Sequence, residues 1–287
     1  MKTAFFQSFE DSSDREETPG RLSMVQAQLK KNNLSGYLVP RSDVHQGEYV
    51  AACDERLSWL TGFTGSAGIC VVGKDRAGIF VDGRYSIQAR KQTLSPFEVI
   101  QWDKKNFFHW IEKNIVKGKI GFDPWLHSHK EIFSLSEEFA NSGISFAPYD
   151  NLIEKVWMTR PAKTSNKVMK YPDELAGLSA REKCQKIAEN IRFKKANSAV
   201  ITLPDSIAWL LNLRGNDVIH NPILHAFLII DSEGCVKIFS RNESLLHCIS
   251  DLKDFVEVYP VENFETTLSD LTGSVIMDET TAPFAAV

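Results

Sequence analysis

The feature that most constrains the fold is an internal repeat. Its first occurrence starts at Arg21–Lys31, where Leu22, Val25 and Leu29 fall on one face of a predicted helix. A short strand is predicted next, at Ser35–Pro40, and a tryptophan-bearing segment follows it. Then come a glycine-rich loop and two apolar runs joined by a four-residue turn, which is the pattern of a β-hairpin.

The same order of elements returns in the second half of the chain. A helix is predicted at Ser179–Lys195 and a strand at Ser198–Leu203, and the segment that follows carries Trp209 where the first half has Trp59. A glycine-bearing loop and a second hairpin complete this copy; the paired strands are predicted at Ile69–Val72 with Gly78–Val81 and at Ala226–Ile230 with Val236–Ser240. The repeat predicts two related α/β domains, each a mixed β-sheet flanked by helices.

The predicted organisation has four parts. Residues 1–20 form a polar lead-in, 21–160 the first domain, 161–178 a proline-bearing linker and 179–287 the second domain. Because nothing closes the fold after the strand predicted at Ser274–Met277, a further domain is expected beyond Val287, outside this sequence.

Composition and charge exclude several classes of protein. A net charge of -4 gives no electrostatic reason to expect a nucleic acid or an anionic membrane as partner. The apolar patch Ala4–Phe6 is too short for a signal peptide, and no run approaches a membrane span. Five scattered cysteines without a CxxC pair are typical of reduced thiols, so we expect a cytoplasmic protein.

Three near-matches to catalytic motifs have simpler explanations. Gly68–Asp75 approaches a phosphate-binding loop, but Asp75 replaces the required Ser or Thr and the middle residues suit a strand. Thr64–Gly68 approaches a nucleophile elbow but leads into a strand, so a close-packed turn is predicted instead. His127 and His129 have no evident third ligand, and no metal site is predicted there.

Three polar loops carry the best candidates for function. They contain the sequences RSDVHQGEY, DGRY and RGNDVIHNP, which begin at Arg41, Asp82 and Arg214. Dense mixtures of charged and hydrogen-bonding groups occur both in solvated loops and in binding sites on rigid scaffolds. The residues alone leave both interpretations open.

Those loops, with their flanks, resemble segments of a known family. RSDVHQGEYVAACDERLSWLTGFTGSAG, VDGRYSIQARKQ and IAWLLNLRGNDVIHNPILHAFLII are similar to segments of the cytosolic three-domain Xaa-Pro aminopeptidases. The resemblance runs from about Arg21 to the last residues. It implies two creatinase/prolidase N-terminal-like domains followed by a catalytic "pita-bread" domain, with the repeat as the first two.

The resemblance also implies where the chemistry lies. In that family two divalent metals, typically manganese, are held by the catalytic domain, so no metal ligand and no catalytic residue is assigned in this chain. The arginine of the DGRY segment contacts the peptide substrate, and this role carries over to Arg84. His45, Tyr85, Arg214 and His220 match motif positions and are assigned only as possible support for their loops.

The resemblance therefore predicts the non-catalytic N-terminal part of an Xaa-Pro aminopeptidase, inactive alone, which shapes substrate access and assembly. Its expected partners are a proline-containing peptide and its own catalytic domain, and a second copy of itself is a further candidate. The alternative is a stand-alone peptide-binding or oligomerisation module without peptidase activity. An independent Cys or Ser hydrolase has no supporting triad.

Overall fold

The computed structural model describes residues 13–163 and 166–287. Most of the predicted lead-in and two residues of the predicted linker lie outside this range. The chain divides into two compact units: the first takes residues up to Arg41, 55–121 and 140–158, and the second takes 42–54, 122–139 and 159–287. Two segments inside the predicted first domain thus pack with the second unit, while the predicted boundaries at 160 and 179 stay a prediction.

The first unit is built on a mixed sheet. Its elements are, in chain order, α1 (Thr18–Lys31), β1 (Gly36–Pro40), α2 (Arg56–Thr61), β2 (Gly68–Gly73), β3 (Ala77–Val81), α3 (Ser86–Gln92), β4 (Phe97–Gln101), α4 (Lys104–Asn114), β5 (Gly118–Phe122) and β6 (Ile144–Pro148). The strands lie in the order β4-β3-β2-β1-β5-β6. β2 is antiparallel to both β1 and β3, whereas β3–β4 and β1–β5 are parallel pairs.

The second unit has its own sheet. Its elements are α5 (His129–Glu138), β7 (Met169–Lys170), α6 (Asp173–Ala176), α7 (Ala180–Phe193), β8 (Ser198–Ile201), α8 (Pro204–Leu210), β9 (Leu213–Arg214), β10 (Ala226–Asp231), β11 (Val236–Ser240), α9 (Leu245–Cys248), β12 (Val256–Tyr259), α10 (Phe264–Ser269) and β13 (Val275–Ile276). The strands of the main sheet lie in the order β12-β11-β10-β8-β13, and β7 and β9 form a separate pair.

The two sheets share one topology. β10 is antiparallel to β8 and to β11, while β11–β12 and β8–β13 are parallel. Strand by strand this repeats β1 to β5 of the first unit, to which the first sheet adds β6 at its edge. The predicted duplication of a mixed α/β domain is therefore confirmed, including both hairpins.

The opening helices of the two copies of the repeat, α1 and α7, end in the same way. α1 and α7 are each 14 residues long. Shortly after each helix comes a residue with positive φ, Asn33 at 54° and Lys195 at 56°. The next residue donates its backbone N–H to a carbonyl of the last helical turn, at 3.0 Å in both units. This left-handed stop satisfies carbonyls that a helix end otherwise leaves without partners.

In each unit a cationic side chain lies over the tryptophan at the equivalent position of the repeat. Arg21, the fourth residue of α1, places its guanidinium carbon 5.1 Å from the centre of the Trp59 ring and donates to the Trp59 carbonyl at 2.8 Å. Lys183, the fourth residue of α7, lies 4.6 Å from the Trp209 ring and donates to its carbonyl at 2.8 Å. The predicted equivalence of the two tryptophans is confirmed by this shared contact.

The apolar faces predicted for the opening helices are buried. Leu22, Val25 and Leu29 pack into the core of the first unit, and Cys184 and Ile191 pack into that of the second. Among the described residues, no helix combines the length and the apolar character needed to cross a bilayer.

Candidate functional site

The DGRY segment forms a short helical turn in the first unit. Asp82 caps a 3-10 helix over Gly83–Tyr85, and its Oδ1 accepts the Arg84 backbone N–H at 2.9 Å and the Arg84 Nε–H at 2.8 Å. The bond from the Arg84 side chain, with the backbone bond, lowers the pKa of Asp82. The Arg84 side chain is 72% exposed and lies 5.5 Å from the Tyr85 ring centre. The Arg84 side chain is therefore accessible to solvent, while Asp82 and Tyr85 restrict its orientation.

Tyr85 connects this turn to the glycine-rich loop. Its hydroxyl lies 2.7 Å from Ser66 Oγ, and its ring meets the Phe63 ring edge-on at 5.7 Å. A Cβ on Gly65 would stand 2.2 Å from the Phe63 Cζ atom, a distance that no side chain tolerates. The predicted close-packed turn is confirmed.

The segment of the first unit that resembles a phosphate-binding loop forms part of the sheet. Gly68–Gly73 is strand β2, which pairs with β3 across a turn closed by the Gly73 N–H to Arg76 carbonyl bond at 2.8 Å. The run that resembles a phosphate-binding loop is therefore extended and buried, and the predicted hairpin is confirmed.

His45, from the RSDVHQGEY loop, lies inside the second unit. It is 3% exposed, and its Nδ1 is 3.1 Å from the carbonyl of Thr202. Since a carbonyl only accepts, this nitrogen carries the proton. Burial, with the nearby charge of His225, lowers the pKa of His45 to about 3. His45 is thus a neutral imidazole; its ring centre is 4.9 Å from that of His225 and 4.5 Å from that of Phe227.

Asp43 shapes the same loop from within. It is 2% exposed, and its Oδ1 accepts the backbone N–H groups of His45 at 2.9 Å and Gly47 at 3.1 Å. Its Oδ2 lies 3.5 Å from His225 Nε2. Burial raises the pKa of Asp43, and His225 and the two backbone bonds oppose that rise.

These residues line a cavity of about 400 Å³ in the second unit. Phe227, Phe264 and Trp125 supply an aromatic wall, and Asp43, His45 and His225 also line the cavity. The sequence pointed to His45 but missed Asp43, His225 and the three rings. Asp43 lies in the same loop as His45, whereas Trp125, Phe264 and the pair His225 and Phe227 come from three other segments that no local pattern links to it.

Arg214 and His220, from the RGNDVIHNP loop, do not line this cavity. Arg214 lies 4.2 Å from the centre of the Tyr171 ring and donates to the Leu213 carbonyl at 2.7 Å. His220 is exposed and has a φ of 62°. The loop residue that does reach the cavity is Asp217, whose carboxylate accepts the backbone N–H of His225 at 2.8 Å.

The His-x-His sequence is divided between two environments. His127 is fully buried with Nδ1 3.1 Å from Glu131 Oε2, whereas His129 stacks between Phe133 and Phe284. Within residues 13–163 and 166–287, no group of three or more His, Cys, Asp and Glu side chains could hold a metal ion. The described residues therefore do not fit the two divalent metals that the resemblance implies.

Comparison with known proteins identifies the fold. Two family models, both described as the creatinase/prolidase N-terminal domain, match residues 21–158 and 159–287. The chain belongs to the creatinase/prolidase N-terminal domain family and carries two such domains in tandem.

Its relatives include named peptidases. It is 40% identical over 220 residues to a probable Xaa-Pro aminopeptidase P of Ajellomyces dermatitidis, covering 75% of this chain and 36% of the relative. It is 34% identical over 277 residues to one of Talaromyces stipitatus, covering 93% and 41%. The chain thus spans less than half the length of these relatives. The resemblance stated from the sequence is confirmed.

A solved structure is similar over nearly the whole chain. The X-prolyl aminopeptidase of Caenorhabditis elegans, described as a cytosolic enzyme with a di-nuclear active site, matches with a TM-score of 0.86 at 25% identity. The match covers 94% of this chain and 48% of the nematode chain. Both domains are therefore found together in a larger peptidase.

Proposed function

We propose that the chain forms the non-catalytic N-terminal domains of a metal-dependent aminopeptidase that removes the residue preceding a proline in second position. The observation that carries this proposal is the match of both domains together to one X-prolyl aminopeptidase. Relatives called Xaa-Pro aminopeptidase P support the same class over up to 93% of the chain.

The metals of the proposed enzyme lie outside the described residues. The nematode enzyme has a di-nuclear active site, and this chain covers 48% of that protein. Because the described residues offer no ligand set, we place the two divalent metals, with manganese as the first choice, in a separate catalytic domain. When bound, such ions activate water and polarise a carbonyl. The chain alone is then inactive.

Arg84 is the residue that we propose to contact the peptide. A guanidinium stays charged at any physiological pH and can donate two parallel hydrogen bonds to a carboxylate or carbonyl. The Asp82 carboxylate and the Tyr85 ring limit the orientations of the Arg84 side chain without covering it. Preorganisation of this kind reduces the entropy lost when substrate binds. The two domains would also shape access to the metals and support assembly.

The remaining parts of the proposal concern setting and partners. We place the protein in the cytoplasm, as the nematode enzyme is, and we propose a homodimer held in part by the catalytic domain. The partners are then a proline-containing peptide and the protein's own catalytic domain.

A direct assay tests the proposal. The 287-residue chain and the protein encoded by the longest reading frame containing it are incubated with manganese and an Arg-Pro-Pro peptide. We expect cleavage before proline by the longer protein only. Turnover by the 287 residues alone, after removal of contaminating peptidases, would contradict the proposal. A frame that ends at Val287, with peptide binding by the chain alone, would favour the stand-alone module.

Replacement of Arg84 tests its role in the longer protein. Arg84→Ala should lower kcat/KM by about tenfold or more, the equivalent of about 1.4 kcal/mol, with bound manganese unchanged. Arg84→Lys should lose less activity than Arg84→Ala because it keeps the positive charge. It should still be less active than the wild type because lysine lacks the planar guanidinium fork. The matched control is Arg90→Ala, which removes another exposed arginine. Equal kinetics for Arg84→Ala and Arg90→Ala would refute a substrate contact.

A further inference from the structure

A cavity in the second unit is lined by residues other than Arg84. One side of it is aromatic. The Phe227 and Phe264 rings are stacked with centres 4.3 Å apart, and Trp125 lies 5.6 Å from the first and 6.3 Å from the second. These rings supply apolar surface to the lining of the cavity.

The charged groups of the lining are mostly acidic. The carboxylates are Asp43, Asp54, Asp217, Glu262 and Glu265, against the two cations Lys163 and Arg241. Arg241 is itself bound by Glu262 at 2.8 Å. Asp54 is bound by Arg160 at 3.2 Å, which lowers but does not cancel the excess. The lining therefore carries more carboxylates than lysine and arginine side chains.

Two of these carboxylates are placed differently from the rest. Asp43 is buried in the loop that carries His45, and its Oδ2 lies 3.5 Å from His225 Nε2 without a hydrogen bond between them. Glu265 is exposed and follows the wall residue Phe264 directly in the chain. One carboxylate thus lies deep and the other is open to solvent, beside the aromatic wall.

We propose that this cavity binds a small organic cation with an apolar body, such as a primary aromatic or aliphatic amine. The rings pack against the apolar body, and the carboxylates, Asp43 and Glu265 above all, attract the ammonium group. A volume of about 400 Å³ is within the range of small-molecule sites.

The test uses two probes of the same shape and opposite charge. Phenethylammonium and phenylacetate are titrated into the 287-residue chain labelled with 5-fluorotryptophan, whose ¹⁹F resonances report each tryptophan. Trp125→Phe assigns the Trp125 resonance. We expect phenethylammonium to shift that resonance and to bind at least tenfold more tightly than phenylacetate, while the resonance of Trp209 stays in place. No shift up to 10 mM, or equal affinity for both probes, would overturn the proposal.

Charge-removing variants locate the ammonium. Asp43→Asn keeps an acceptor for the two backbone N–H groups and should raise the dissociation constant of phenethylammonium about tenfold. Glu265→Gln should raise it about threefold because that carboxylate is exposed. Glu189→Gln, an exposed glutamate on α7 outside the cavity, is the control and should have no effect. If Asp43→Asn does not fold, Glu265→Gln decides, and an affinity equal to that of the control would refute the site.

Discussion

Each unit places a cationic side chain over the equivalent tryptophan, but the other hydrogen-bond partners of that side chain differ between the two units. Arg21 in the first unit has a side chain 13% exposed and is also bound by the exposed carboxylate of Asp14 at 2.5 Å. Lys183 in the second unit is 2% exposed and is bound by the amide oxygen of Asn212 at 2.6 Å. The first cation therefore draws on a surface charge, and the second draws on buried neutral acceptors.

Asn212 shows why the second arrangement is more demanding. It is 1% exposed, accepts from Lys183, and donates to Asp173 Oδ1 and to the Leu178 carbonyl, both at 2.8 Å. Burial, with the charge of Arg214, lowers the pKa of Lys183. A duplicated contact can thus carry different energetic weight in each copy, because the surroundings fix the cost of losing it.

The largest expected difference comes from removing the two cations. Lys183→Met should lower the free energy of unfolding by about 3 kcal/mol, since the Trp209 carbonyl and the Asn212 amide lose a buried donor. Arg21→Met should cost about 1 kcal/mol, because water can reach the partners it leaves. Urea unfolding, with hydrogen exchange to locate the weakened helices, measures both. Equal losses would mean that the contacts are equivalent after all.

Acid should separate the units next. Since burial holds the pKa of His45 at about 3 against an ordinary 6.5, the unfolded chain binds a proton that the folded chain does not. Stability from this group is complete above pH 6.5 and is lost as pH falls toward 3, at up to about 1.4 kcal/mol per pH unit. Burial raises the pKa of Asp43, so above the ordinary pKa of an aspartate the folded chain binds more protons at this group than the unfolded chain does. The stability contributed by Asp43 therefore falls as pH rises, opposite to that of His45.

A variant isolates the histidine. His45→Gln can still donate toward the Thr202 carbonyl but cannot titrate, so its unfolding free energy should vary less between pH 6.5 and 4.5 than that of the wild type. His109→Gln, which changes the exposed histidine of the first unit, is the control and should follow the wild-type curve. Parallel curves for His45→Gln and the wild type would show that His45 is not buried as neutral imidazole.

The smallest effect concerns the starts of the opening helices. Ser179 and Glu182 form a capping box at the start of α7, whereas Glu17 before α1 makes no side-chain cap bond. Ser179→Ala should cost about 1 kcal/mol of unfolding free energy, and Glu17→Ala close to nothing. Thermal unfolding of the two variants checks this, and a loss for Glu17→Ala as large as that for Ser179→Ala would contradict the difference.

The sequence revealed the repeat because its signals are local. Helix faces such as Leu22, Val25 and Leu29, the paired tryptophans and the hairpin turns all fall within short windows. Strands β4, β6 and β12 were not predicted. β4 and β6 have only one buried residue each and the same mixture of exposed and half-buried positions, so their apolar pattern is weak.

The cavity could not be predicted for a different reason. Asp43, His225 and Phe264 are brought together only by packing, and single-sequence patterns do not report contacts between distant segments. His45 and Arg84 were found through motif resemblance. The structure gives His45 a buried carbonyl partner and leaves Arg84 exposed, while the substrate contact of Arg84 stays a proposal.

The discontinuous path of the second unit has a consequence for synthesis on the ribosome. Residues 42–54 and 122–139 belong to that unit, yet most of it is encoded after residue 158. The bond from His45 to Thr202 joins residues 157 positions apart, and at ordinary rates of translation the second residue appears roughly 8 to 30 seconds after the first. Until then the segment must remain hydrated in the nascent chain. Its sequence RSDVHQGEY is rich in charged and polar residues, which favours hydration over aggregation.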